Sequence, residues 1–289
     1  MVRLQIRTLI VSLWRCVRPI LRLIDTRRRI AILVYHEIDP EVFKSHIDYL
    51  QKNYELVSLR EVGVAYSSGD FERLPRSSAA ITFDDGWKSN YDLLHTIKKR
   101  TIPVTIFLNT GIVGTNRRIW NYTLERRGSE RELNEQLKLI DNCERKQRLQ
   151  HINGHTDVTE YETRDMLSTE EIREMASVVD FQSHGEFHPV LTKCSDKELI
   201  QEFRDSSARV QALTRGDCFA FAYPYGLSNM RVRDFAKSSG YLLGRGLGIP
   251  RHNFENSDPM NLSGVGIDEE WSVDDLEKQL LWTEIRSIV

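Results

Sequence analysis

Between Ile30 and Ile285 short apolar runs alternate with amphipathic helical stretches, and no other feature constrains the fold as strongly. Ile30–His36, Ala79–Phe83, Val104–Leu108, Val178–Gln182, Cys218–Tyr223 and Leu262–Ile267 are too short for buried helices and read as strands. Glu41–Asn53, Lys88–Lys99, Ser195–Leu213, Asn229–Ser239 and Val273–Ile285 carry apolar residues at helical spacing, for example Leu199, Phe203 and Val210. Ser168-Thr169-Glu170-Glu171 has the pattern of a capped helix start ahead of the fourth strand. Strands separated by helices lie parallel, so the expectation is an α/β fold with a mostly parallel sheet or barrel.

Residues 111–167 break the rhythm. They are strongly charged, hold Trp120 and a helical run near Glu130–Gln150, and read as an insertion. Such an excursion either shapes a binding cleft or is solvated helix without a role.

Residues 1–29 also stand apart, with eight arginines against the single acid Asp25, a net +7. The whole chain carries −2, so the remainder carries −9 and gives no reason to expect nucleic-acid binding. On a helical wheel Arg3, Arg7, Arg15, Arg18 and Arg22 share one side, and Ile6, Leu9, Leu13, Val17, Ile20 and Ile24 take the other. A basic amphipathic helix on an anionic membrane, contacting it through residues 1–26, is one reading; a helix packed on its own domain is the other. The uncharged run Thr8–Trp14 is too short to span a bilayer, and arginines interrupt any export signal. The chain is 40% hydrophobic and 28% charged, which excludes disorder and a multi-spanning membrane protein. Cys16, Cys143, Cys194 and Cys218 form no CxxC pair and fit a reducing compartment.

Three motifs carry chemistry. Thr82-Phe83-Asp84-Asp85-Gly86 places two carboxylates at a strand's carboxyl end, where α/β folds build their active sites. One suits a metal and the other a water, although an Asp-Gly turn would also explain them. Ser183-His184-Gly185-Glu186-Phe187-His188-Pro189 follows another strand, and histidines four apart share a face if the segment is a helical turn. Phe221-Ala222-Tyr223-Pro224-Tyr225-Gly226 follows a third, and its turn can aim an N–H at an oxyanion.

Across residues 30–289 these motifs, in this order and with Leu33-Val34-Tyr35-His36 ahead of them, resemble the polysaccharide deacetylases that share the NodB homology domain. The resemblance implies a distorted (β/α) barrel, a divalent metal on Asp85, His184 and His188, and Asp84 as catalytic base. It also implies Tyr225 as the backbone oxyanion donor, with Pro224, Tyr225 and Trp87 as substrate contacts. Zinc is the expected ion, although such ligands also accept cobalt, nickel or manganese. His36 reads as structural or supporting.

The sequence departs from the family twice. Many relatives carry an arginine two residues before the proline of the third motif, where this chain has Ala222. Many also end on a Leu-x-His proton donor; here the last histidine is His252, which becomes the candidate acid. The expected function is removal of an N-acetyl or N-formyl group from an amino sugar of a polysaccharide or lipid-linked saccharide, at the cytoplasmic face of the inner membrane. A peptidoglycan or cyclic-amide hydrolase and a non-catalytic glycan-binding barrel are the alternatives.

Overall fold

The computed structural model describes residues 27–125 and 131–287. The basic amphipathic helix expected within residues 1–26 lies outside the described residues. Among those described, no helix is long and apolar enough to cross a membrane.

Seven parallel strands close into a barrel. They are β1 (Arg29–Tyr35), β3 (Ser77–Phe83), β4 (Val104–Leu108), β5 (Val179–Ser183), β6 (Ala220–Ala222), β7 (Leu243–Gly246) and β8 (Leu262–Gly266). Each pairs with the next, and β1 closes the ring by pairing with both β3 and β8. A short β2 (Glu55–Leu56) lies beside Ser78 and Ala79, the part of β3 that precedes its pairing with β4.

The two-residue side-chain period of the strands divides their apolar residues into two layers. Ile30, Ile32, Ala80, Phe107, Ala220, Ala222 and Leu262 belong to one cluster inside the barrel. Ala31, Leu33, Tyr35, Ile81, Phe83, Ile106, Leu108, Phe221 and Tyr223 face outward and pack under the helices. This double burial explains why the strands read as near-continuous apolar runs.

The outer helices are α1 (Pro40–Asn53), α2 (Leu59–Ser68), α3 (Leu94–Arg100), α7 (Thr169–Met175), α8 (Asp196–Thr214), α9 (Met230–Ser238) and α10 (Val273–Arg286); between α3 and α7 run α4 (Tyr122–Glu125), α5 (Arg131–Leu139) and α6 (Asn142–Asn153). Ser168 and Ser195 start α7 and α8 with the reciprocal hydrogen bonds of a capping box. The helix expected over Lys88–Lys99 divides into a 3-10 turn, Lys88–Leu93, and then α3.

Residues 111–167 contribute α4 to α6 and no strand among the described residues. The stretch returns to the barrel at the residues after Asp85. Leu167 N–H donates to the Gly86 carbonyl at 2.8 Å, and Lys88 N–H donates to Asp165 at 2.9 Å. This wall is therefore tied to the carboxyl end of β3.

Candidate active site

Asp84 follows β3 in the parity of Ala80 and Thr82, toward the barrel axis. Continued strand would send Asp85 the other way. Instead Asp85 and Gly86 take left-handed backbone (φ 69° and 77°), and the chain turns so that both carboxylates reach one buried site. Asp85 is oriented by Asn109, just past β4, whose amide Nδ2 donates to its Oδ1 at 2.9 Å.

The histidines arrive after β5. The segment from His184 to His188 is not the expected helical turn. Left-handed backbone at Gly185 (φ 86°) and His188 (φ 55°) folds it instead, and the rings meet with centroids 4.8 Å apart. His184 Nδ1 donates to the Ala222 carbonyl at 2.7 Å, which leaves Nε2 with its lone pair toward Asp85. His188 is held differently: its carbonyl accepts the Trp120 indole N–H at 3.2 Å, and its ring packs on Tyr225 at 4.4 Å.

These residues fit a divalent cation. Asp85 Oδ1 lies 3.5 Å from His184 Nε2 and 3.5 Å from His188 Nε2. The three ligand atoms all fall within 4.8 Å of one another. Two ligands about 2.1 Å from a tetrahedral ion stand roughly 3.4 Å apart, close to those separations. Burial pushes both imidazoles below their usual range. The Asp84 and Asp85 charges partly oppose this at His184, whereas the His184, His36, Arg145 and Lys138 charges reinforce it at His188. Neutral imidazoles are the form that ligates.

Asp84 stands outside that triad, with Oδ2 3.9 Å from His184 Nε2. Burial alone would raise its carboxyl, but Arg245, His184 and His36 outweigh burial and hold it below the usual carboxylate range. Arg245 donates from Nη2 to Asp84 Oδ1, with its guanidinium over the Phe107 ring inside the barrel. With Ala222 on β6, the guanidinium that meets Asp84 comes from β7 instead. Its strand reads as loop because Leu243-Gly244-Arg245-Gly246 is half glycine, a residue depleted in strands. Gly244 is required there: a Cβ would collide with the Tyr223 hydroxyl and the Met260 carbonyl.

Pro224 and Tyr225 form the turn after β6. Pro224 is buried; Tyr225 is half-buried and left-handed (φ 59°, ψ 8°). The flanking Gly226 and Leu227 N–H groups bond within the turn, to Tyr223 and Pro224. Trp87 is buried against Tyr122, ring centroids 4.9 Å apart, and lines a cleft with Lys88 and Asp165.

His252 is not brought to the site. The neighbouring Asn253 exchanges hydrogen bonds with Ile30 near the start of β1, whereas Asp84 N–H bonds Tyr35 at the end of that strand. Five residues of strand, about 17 Å, separate those levels. His36, expected to be supporting, follows β1 directly and lies within charge-interaction range of both Asp84 and His188.

The polysaccharide deacetylase family model matches residues 72–244, from the approach to β3 into β7. This chain belongs to the polysaccharide deacetylase family. The expected barrel is borne out by solved structures of similar fold. A Streptococcus pyogenes deacetylase, PplD, in complex with acetate is 21% identical (TM-score 0.64), the match covering 88% of this chain and 99% of that one. IcaB from Ammonifex degensii is 20% identical (TM-score 0.62; 89% and 97% covered). The BpsB deacetylase domain from Bordetella bronchiseptica is 15% identical (TM-score 0.60; 84% and 98% covered). A search of curated proteins finds no match.

Proposed function

We propose that this deacetylase is a metal-dependent hydrolase that removes an N-acetyl or N-formyl group from an amino sugar. The observation that carries the reading is the convergence of Asp85 Oδ1, His184 Nε2 and His188 Nε2 beside a separate carboxylate, Asp84. When bound by that triad, a divalent ion polarises the amide carbonyl and acidifies water at neutral pH. Zinc suits two imidazoles and a carboxylate best, with cobalt, nickel and manganese as substitutes.

The chain's own groups divide the remaining work. Asp84, kept ionised by Arg245, takes a proton from the attacking water. The water oxygen bonds to the acyl carbon, and the charge that develops on the acyl oxygen faces the Tyr225 N–H in its left-handed turn. The C–N bond then breaks as the amine nitrogen takes a proton, releasing acetate or formate and the free amino sugar. We assign that proton to His36, which lies within charge-interaction range of Asp84 and His188 and outside the ligand triad. A non-catalytic barrel has no use for a second buried carboxylate set beside a cluster of metal-ligating atoms.

The arginine-rich residues 1–26 favour a substrate at a membrane surface, such as a lipid-linked sugar at the cytoplasmic face of the inner membrane. Equal partition of the full chain and a variant lacking residues 1–26 would remove that part.

The test is acetate release from a panel of acetylated amino-sugar glycans and lipid-linked sugars, with metal present and after chelation. Turnover should vanish on chelation and return with zinc; turnover indifferent to chelation overturns the metal reading. His36→Gln should slow amide substrates yet spare an activated acetyl ester whose leaving group needs no proton. Equal loss on both substrates would remove His36 as the donor.

A further inference from the structure

Three of the five non-glycine left-handed residues among those described belong to the site: Asp85, His188 and Tyr225. Side chains with a Cβ disfavour that conformation, so it persists only where neighbours hold it. Asp85 and His184 take their hydrogen bonds from the barrel, through Asn109 and the Ala222 carbonyl. His188 and Tyr225 take theirs from the excursion between β4 and β5. Trp120 Nε1 donates to the His188 carbonyl at 3.2 Å, and the adjacent Asn121 Oδ1 accepts the Tyr225 hydroxyl at 3.0 Å.

The two neighbours share one tight turn at the start of α4. Tyr122, Thr123 and Leu124 N–H groups bond back to the Ile119, Trp120 and Asn121 carbonyls. Asn134 of α5 donates a second bond to the Asn121 carbonyl at 3.3 Å. The Trp120 face carries the buried Arg145 guanidinium of α6 at 4.8 Å, and Arg145 is tied to Asn142. A flat cation on an aromatic face, in a buried setting, fixes the ring's orientation.

We propose that Trp120 and Asn121 form a positioning clasp with divided duties. Trp120 sets the second histidine ligand for the metal, and Asn121 sets the turn that presents the Tyr225 N–H. The inference rests on the metal-dependent reading above. It assigns the excursion a part in assembling the site in addition to walling it. The two residues are consecutive, so one local movement of this turn would disturb ligation and oxyanion binding together, whereas point variants separate them.

The experiment compares Trp120→Phe and Asn121→Ala in the full chain. Cobalt and zinc affinity are read by competition with a chelator and by the visible spectrum of bound cobalt, and kcat is read across metal concentrations. Trp120→Phe keeps a smaller aromatic face for Arg145 and loses the donor. It should weaken metal binding about 10- to 100-fold, the range for outer partners of metal ligands. It should also alter the cobalt spectrum and recover turnover as metal is raised. Asn121→Ala should bind metal within twofold of the native chain while kcat falls about tenfold, with no rescue by metal. Tyr225→Phe, which removes the same hydrogen bond from the other side, should repeat the Asn121→Ala result.

Native metal affinity in Trp120→Phe, or equal loss of metal and kcat in both variants, overturns the clasp. Should Trp120→Phe fail to fold, Asn121→Ala and Tyr225→Phe still decide: metal loss in either contradicts the division. A native chain that neither binds metal nor releases acetate instead removes the reading beneath the proposal.

Discussion

Two buried arginine–carboxylate pairs sit at opposite ends of this barrel. At the amino end Arg29, the first residue of β1, pairs with Glu284 near the end of α10. At the carboxyl end Arg245 of β7 reaches Asp84 beyond β3. Both join segments remote in sequence. Their surroundings differ. Glu284 belongs to a regular helix, whereas Asp84 adjoins two histidines and three backbone turns held in left-handed conformation. The same interaction serves stability at one end and sets a protonation state at the other. Burial and pairing alone therefore do not identify an active site; the company of metal-ligating atoms does.

Breaking the upper pair should have the larger effect. Arg245→Met removes the charge that keeps Asp84 below the usual carboxylate range, and burial, the largest influence on that carboxyl, is left to raise it. The sign follows directly. A depressed folded pKa contributes stability above the unfolded carboxylate range and loses it as pH falls through the folded value. With the arginine gone, the base is protonated at higher pH, so the acidic limb of the kcat profile should move upward. Turnover at neutral pH should fall about 100-fold, with roughly 3–5 kcal/mol lost in stability. A pH–rate profile checks this, and an unmoved acidic limb would separate Arg245 from the base.

Breaking the lower pair should cost stability alone. Arg29→Met leaves Glu284 buried without its guanidinium, worth roughly 3–5 kcal/mol by denaturant titration. Metal affinity and kcat below the melting range should stay native. A changed pH–rate profile in this variant would undo the contrast between the two ends.

The smallest effect concerns a third buried carboxyl, Glu202 of α8. It accepts the Glu186 N–H at 2.6 Å beneath the histidine segment, and burial pushes it up to about 8. A raised folded pKa favours the protonated form, so its contribution is full below the unfolded carboxylate range and is lost as pH rises toward about 8. Glu202→Gln keeps an acceptor for Glu186 without a charge to bury. Its Tm should exceed that of the native chain by a few degrees at pH 9 and match it at pH 4. Equal melting at both pH values would contradict the assignment.

The same contrast explains what was legible in the sequence. Asp84, Asp85, His184 and His188 lie in contiguous motifs at strand ends, where chain direction alone places them together. Arg245 was hidden because its strand is half glycine and its partner lies 161 residues away. The parity that puts Arg245 inside the barrel with Leu243 is visible only once β7 is recognised. His252 drew attention as the last histidine, but Asn253 ties its segment to the start of β1. Leu59–Ser68 is absent from the helices the sequence suggests, although Ser58 and Glu61 carry the signature of its capping box. Trp120 stood out as an aromatic in a charged stretch, yet its hydrogen bond to His188 depends on how the excursion folds back over the barrel.

The central claim is that two adjacent carboxylates have separate roles, Asp85 for the metal and Asp84 for the proton. Zinc content and acetate release measured together on Asp84→Asn and Asp85→Asn test it most directly. Asp84→Asn should retain zinc and lose turnover by about 100- to 10,000-fold, while Asp85→Asn should lose the zinc itself. Native turnover in Asp84→Asn, or full zinc occupancy in Asp85→Asn, would contradict the account.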